Sequence, residues 1–163
     1  MSVSRPTLYL LCGKIAAGKS TLAGILADRP ETILIGEDHW TSNLFLDELK
    51  TIDDYTRYSR RLCNAIGPHV VAFLKLGISV VLDFQANTVA RRAWMRELFE
   101  TARANHELHV LDVSDETCKR RLRARNLAGE HPVQVSDADF ELFTRFYVAP
   151  APDEGFNLVV HGE

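Results

Sequence analysis

The chain has few cysteines, no excess of positive charge and no long apolar run, and each shortage removes a class of function. Cys12, Cys63 and Cys118 form an odd, widely spaced set without a C-x-x-C pair. That pattern argues against a disulfide framework and predicts free thiols, acting as small buried hydrophobes, in a reducing compartment. Nineteen Lys and Arg against 22 Asp and Glu give a formal charge of −3. No global basic field can gather nucleic acid, so any anion site must be local. The longest apolar region, around Val70 to Phe84, is broken by Lys75, Gly77 and Asp83, which argues against a membrane span. The opening apolar run, Thr7 to Cys12, is too short for a signal-peptide core and leads straight into a glycine motif, so the expected address is the cytoplasm. His106 and His109 flank a strand with no carboxylate or cysteine cluster expected around them, and no zinc site is expected. Repeats, low-complexity tracts and long linkers are missing too, and residues 1–163 read as one domain.

What is present alternates. Apolar runs of strand length, Thr7–Cys12, Thr32–Gly36, Ile78–Phe84, Glu107–Val113 and Phe156–Val160, are separated by segments of helical period. Lys19–Asp28, Thr88–Asn105 and a helix after Ser114 read as single helices, with Thr88 and Ser114 as N-caps. Asp53–Leu76 is long enough for one or two helices, with Gly67-Pro68 as a kink or break. Ser136-Asp-Ala-Asp139 opens the last helix with a capping-box spacing. Strands separated by helices predict an α/β fold in three layers, a parallel sheet covered on both faces. Ligands of such sheets sit beyond the carboxyl ends of the strands.

At the end of the first strand lies Gly13-Lys-Ile-Ala-Ala-Gly18-Lys19-Ser20, which fits G-x-x-x-x-G-K-[ST] at every fixed position. Two glycines let the backbone wrap closely and aim several N–H groups inward. The amides of Gly13, Ala16, Ala17, Gly18, Lys19, Ser20 and Thr21 are the candidate cradle for the phosphates of ATP, at the positive end of the next helix. Lys19 brings a full charge to the β- and γ-phosphates, and Ser20 a hydroxyl to Mg²⁺. Lys14 stands at a variable position and is given no role. A random chain of this length matches the motif about once in a few hundred.

The strand Val80-Val-Leu-Asp83 ends in the acid expected of a second Mg²⁺ ligand, Asp83. Phe84 and Gln85 follow, where many ATPases place a water-activating Glu. Neither an Asn-Lys-x-Asp nor a Leu-Ser-Gly-Gly signature occurs. Transfer to a bound acceptor is therefore favoured over hydrolysis. An acceptor hydroxyl needs a group to take its proton, and Asp38, 19 residues after Lys19 and just past the second strand, is the candidate. Glu37 points elsewhere if the chain is still extended there, and Asp38 could instead cap a helix. In Lys119-Arg120-Arg121-Leu-Arg123-Ala-Arg125, Arg121 and Arg125 share a helix face. A short helical lid over about 119–136, hinged by Gly129 and Pro132, would bring this pair to the transferring phosphate; a solvated face is the alternative.

Together these landmarks resemble the P-loop kinases grouped around polynucleotide 5′-hydroxyl kinases, chloramphenicol phosphotransferases and zeta-toxin-like kinases. The resemblance runs from the GKIAAGKST loop to the closing strand, through GEDHW, VVLDF and RLRARN. It implies a P-loop NTPase fold with a five-stranded parallel sheet, Asp38 as acid/base, Arg121 and Arg125 as an R-x-x-x-R lid, and a basic role for Arg91 or Arg92. Polynucleotide kinases place an Arg three residues after the catalytic Asp, where this chain has Thr41. A small-molecule acceptor is thus expected rather than nucleic acid. His39–Tyr58, with Trp40, Phe45, Tyr55 and Tyr58, would form the acceptor-side wall. Two other readings stay open here: an ATP-binding regulator without transfer, and a 5′-hydroxyl kinase resting on the arginine cluster.

Overall fold

Apolar runs that cannot each bury two faces alone pair into one wholly parallel five-stranded sheet in the computed structural model, which describes residues 5–129 and 134–163. The strands are β1 (Thr7–Cys12), β2 (Thr32–Gly36), β3 (Ser79–Gln85), β4 (Asn105–Leu111) and β5 (Leu158–His161), in spatial order β2-β3-β1-β4-β5. Helices α1 (Lys19–Ala27), α2 (Glu37–Phe45), α3 (Ile52–Lys75), α4 (Val89–Ala102), α5 (Asp115–Ala128) and α6 (Asp137–Thr144) lie in the connections, which parallel neighbours require. The period of two divides β1 between the layers. Leu8, Leu10 and Cys12 join the core formed with Leu74 of α3 and Met95 of α4, while Tyr9 and Leu11 pack on Ala23 and Leu26 of α1. Because β1 sits between β3 and β4, the winding reverses beside it, and a crevice opens past its carboxyl end.

The helix starts follow their caps. Thr88, Ser114 and Ser136 accept from the amides of Arg91, Thr117 and Asp139, closing donors that the first turn leaves open. Several boundaries differ from the sequence expectation. Strand β4 begins at Asn105 because its amide donates to the Pro6 carbonyl at 2.9 Å, and it stops before Val113, which packs with Cys118 and Leu122 of α5. Helix α3 continues through Pro68. A Cβ at Gly67 would lie 3.4 Å from Leu98 and 3.6 Å from Trp94, so close packing on α4 supports the helix across the missing donor. Pro132 of the expected lid loop lies outside the described residues.

Arg92 is wholly buried and fixes the carboxyl-terminal part of the chain. Its guanidinium donates to Glu154 at 2.8 and 3.1 Å, to the Ala86 carbonyl at 2.9 Å and to the Val148 carbonyl at 2.8 Å. Of the pair Arg91 and Arg92, Arg92 is therefore a structural cation. All three cysteines are free and buried, and burial pushes each thiol up, Cys63 to about 11. No helix among the described residues is long and apolar enough to cross a membrane.

Candidate functional site

The glycine loop follows β1 and turns into α1 through two left-handed residues, Ala16 (φ 61°) and Gly18 (φ 103°). Gly18 tolerates its angle because it has no Cβ. Gly13 serves another purpose: a Cβ there would lie 3.2 Å from Leu111 Cβ and 3.3 Å from the Leu111 carbonyl oxygen. Gly18 caps α1 without a side-chain hydrogen bond, so the first-turn amides of Lys19, Ser20 and Thr21 stay open to an anion. The start of the loop is held by Asn87, whose side chain both accepts from the Gly13 amide and donates to the Gly13 carbonyl, at 2.9 Å each. Nothing in the sequence marks Asn87, because no motif spans the 74 residues between it and Gly13.

A cavity of about 690 Å³ opens over this loop. It brings together Ala16 through Thr21, Asp38, Asp83, Arg121 and Arg125. Lys19 donates to the carbonyls of Gly13 (2.6 Å) and Lys14 (2.7 Å), and burial pushes its ammonium down to about 8 against the pull of Asp83. A bound polyphosphate favours the charged form and raises that value again. Nucleotide binding should then take up a proton above pH 8, and affinity should fall by up to about tenfold per pH unit there. Calorimetry in buffers of different ionisation enthalpy reads this uptake directly. Uptake at about pH 9 that is no greater than at about pH 6.5 would separate Lys19 from the phosphates.

Ser20 donates to Asp83 at 2.9 Å, and burial raises the Asp83 carboxyl above its ordinary value, opposed by Ser20 and Lys19. A hydroxyl beside a carboxylate is a hard oxygen pair that fits Mg²⁺, which completes its shell with water and phosphate oxygens. Asp38 lies in the first turn of α2, exposed, and borders the same cavity. The chain is already helical at Glu37, so the condition of an extended chain does not hold there, and Glu37 turns inward to 2% exposure. There it pairs with Arg91 at 3.2 Å and accepts from Ser59. Thr41, the position compared with an acceptor-gripping Arg, is buried and donates to the Glu37 carbonyl at 3.0 Å.

On α5, Arg121 donates to the Ala17 carbonyl at 3.2 Å, and the buried Nε of Arg125 has no hydrogen-bond partner among the described residues. Arg123 pairs instead with Asp137 and Lys119 with Glu141, which ties α5 to α6. Lys14, assigned nothing from sequence, pairs with Asp115 and links the loop to α5. His109 is not isolated, contrary to expectation. It meets Glu107 at 2.9 Å and His161 at 2.8 Å, and burial lowers its pKa. The partner His161 comes from β5, 52 residues away, and borders the cavity.

A second cavity of about 620 Å³ lies between α3, α4 and the end of α6, and Ile15, Glu37 and Gln85 border both. Of the four aromatics expected on an acceptor wall, Tyr55 lines it. Trp40, Phe45 and Tyr58 line neither cavity; Phe45 and Tyr58 stack on each other with centroids 4.6 Å apart. Arg91 does line it, with its guanidinium 5.9 Å from the Trp94 ring centre.

The sequence profile of the family described as an AAA domain matches residues 8–150. The sequence has no match among curated proteins. Solved structures are similar across nearly the whole chain. A candidate kinase of Chloroflexus aurantiacus is 21% identical, with 98% of this chain and 86% of that one covered and a TM-score of 0.75. The APS kinase of Mycobacterium tuberculosis, in complex with AMPPNP and APS, is 22% identical over 98% of this chain and 89% of its own, with a TM-score of 0.62. A gluconokinase of Sinorhizobium meliloti is 17% identical over 98% and 83%, with a TM-score of 0.61. At these identities the likeness is one of fold, and the fold is the P-loop fold expected from the glycine motif.

Proposed function

This chain belongs to the AAA domain family, and from that premise we propose that it is a kinase moving the γ-phosphoryl group of ATP to an alcohol. The observation that carries this reading is the meeting of two cavities at one wall. A phosphate cradle of about 690 Å³ and a second chamber of about 620 Å³ share Ile15, Glu37 and Gln85. A hydrolase needs no second chamber, whereas a transferase must seat two reactants in reach of one another. The names of similar folds, APS kinase and gluconokinase, agree with it.

In the proposed reaction the loop amides and Lys19 hold the β- and γ-phosphates, with Arg121 and Arg125 bordering the same space. The acceptor oxygen forms a bond to the γ-phosphorus as the bond to the β–γ bridging oxygen breaks, and Asp38 takes the hydroxyl proton. Ser20 and Asp83 would hold Mg²⁺, which supplies positive charge to the phosphate oxygens when bound. Gln85, at the shared wall, carries no carboxylate to activate water.

The test is acceptor-dependent ADP release, screened over sugars, aromatic alcohols, nucleosides and 5′-hydroxyl oligonucleotides. ATP alone should turn over slowly, the right alcohol should accelerate ADP release, and Lys19→Ala should remove at least about 10²-fold of that rate. Tight ATP binding with no acceptor giving turnover would replace the kinase reading with a regulatory one.

A further inference from the structure

We infer that the acceptor is an alcohol carried on a largely apolar, aromatic-bearing body, and not a polyol, a sugar acid or a nucleic-acid end. The inference rests on the kinase reading for its chemistry but on the second chamber alone for its chemical class. Its volume, about 620 Å³, falls in the range of about 300–1,000 Å³ that holds a drug-sized ligand. The walls include Tyr55, Trp94 and Tyr147, and around the opening stand Ile52, Phe143 and Phe146. These last three are 40%, 41% and 55% exposed. Three large apolar side chains left in water around one opening favour a ligand that covers them.

Several polar groups of the chamber, the most deeply buried among them, are already engaged by the protein. Glu37 is held by Arg91 and Ser59, and Arg91 donates to Ser59 at 2.6 Å. Asn87 spends both ends of its amide on Gly13, and Thr88 caps α4 through the Arg91 amide at 3.1 Å. Lys14 is neutralised by Asp115. A polyol entering here would strip water from several hydroxyls and find partners mainly at the exposed Thr56, Arg60, Asn64 and Gln85 and the half-buried Thr144, most of them toward solvent rather than in the depth of the chamber. A polyanion fares no better. Of the three cations in the lining, Lys14 and Arg91 already have carboxylate partners, which leaves Arg60. An apolar body gives up little on entry, and its hydroxyl needs only to pass Glu37 and Gln85 to reach the side where Asp38 stands.

The protein has two tryptophans, and Trp40 lines neither chamber, so Trp40→Phe leaves Trp94 as a reporter of occupancy. The full chain with this change is titrated with 2-phenylethanol, 2-(2-naphthyl)ethanol, D-gluconate and a 5′-hydroxyl oligodeoxynucleotide. Trp94 emission and ADP release are read in parallel. The expected result is a Trp94 response and acceptor-dependent ADP release with the aromatic alcohols only, KM falling from phenyl to naphthyl. Phe146→Ser, at an exposed site, should raise the KM of the naphthyl alcohol about tenfold, the loss expected from one apolar contact. Turnover of gluconate or the oligonucleotide without the aromatic alcohols overturns the acceptor class and leaves the kinase reading intact. Aromatic binding at Trp94 with no turnover of any acceptor upholds the chamber's preference and sinks the kinase reading. Aromatic alcohols that neither perturb Trp94 nor release ADP overturn the inference.

Discussion

Asp38→Asn should slow acceptor-dependent phosphoryl transfer by about 10²- to 10⁴-fold and leave ATP affinity within about twofold. The amide keeps the size of the carboxylate and loses the ability to take a proton. Asp38 is exposed in the first turn of α2 and borders the cavity with Lys19, Asp83 and the two arginines. Loss of its favourable place at a helix start costs only about 0.3–1 kcal/mol, too little to unfold the chain. Single-turnover transfer with a working acceptor, beside equilibrium ATP binding, separates the two effects. A variant that keeps its transfer rate would move the proton to another group. Glu37, in contact with both cavities but ion-paired to Arg91, is then the next carboxylate in that role.

Glu154→Ala should be the most damaging change away from the site, with a cost of about 3–5 kcal/mol. It leaves Arg92, which is wholly buried, with two backbone carbonyls and no opposite charge. It also frees the Ala151 amide, which now donates to Glu154 at 2.8 Å. Glu154 has its pKa lowered chiefly by Arg92, so the contribution is present above the unfolded carboxylate value and is lost as pH falls through the lower folded one. A urea titration near neutral pH should show the midpoint falling, and the gap to wild type should narrow in acid. A variant within about 1 kcal/mol of wild type at neutral pH would mean that Arg92 finds water or another partner.

Some of this site was open to inspection in the chain. The glycine loop is contiguous and its spacing is its mechanism, so Gly13 to Thr21 could be named directly. Asp83 ends an apolar run at a length that puts it at the crevice. Arg121 and Arg125 follow from a helical period, and both border the cavity. Asn87, Lys14 and the His109–Glu107–His161 group were missed for one reason. Each acts through a partner that is distant in sequence, and spacing along the chain carries no record of such contacts. Aromatics between His39 and Tyr58 are plentiful, but of the four named from sequence Tyr55 alone lines the second cavity, and α2 and α3 turn Phe45 and Tyr58 toward each other.

By itself the sequence determined the alternation of strands and helices, the glycine loop between β1 and α1 and the caps, because each depends on neighbours within about a turn or a strand. The tertiary structure alone decided that Glu37 is buried and ion-paired, that Arg91 faces a chamber while Arg92 locks the far end, and how large and apolar that chamber is. Those properties belong to surfaces that separate elements contribute together, Glu37 of α2 meeting Ser59 of α3 and Arg91 of α4, and Arg92 meeting Val148 and Glu154, and the packing of those elements fixes them.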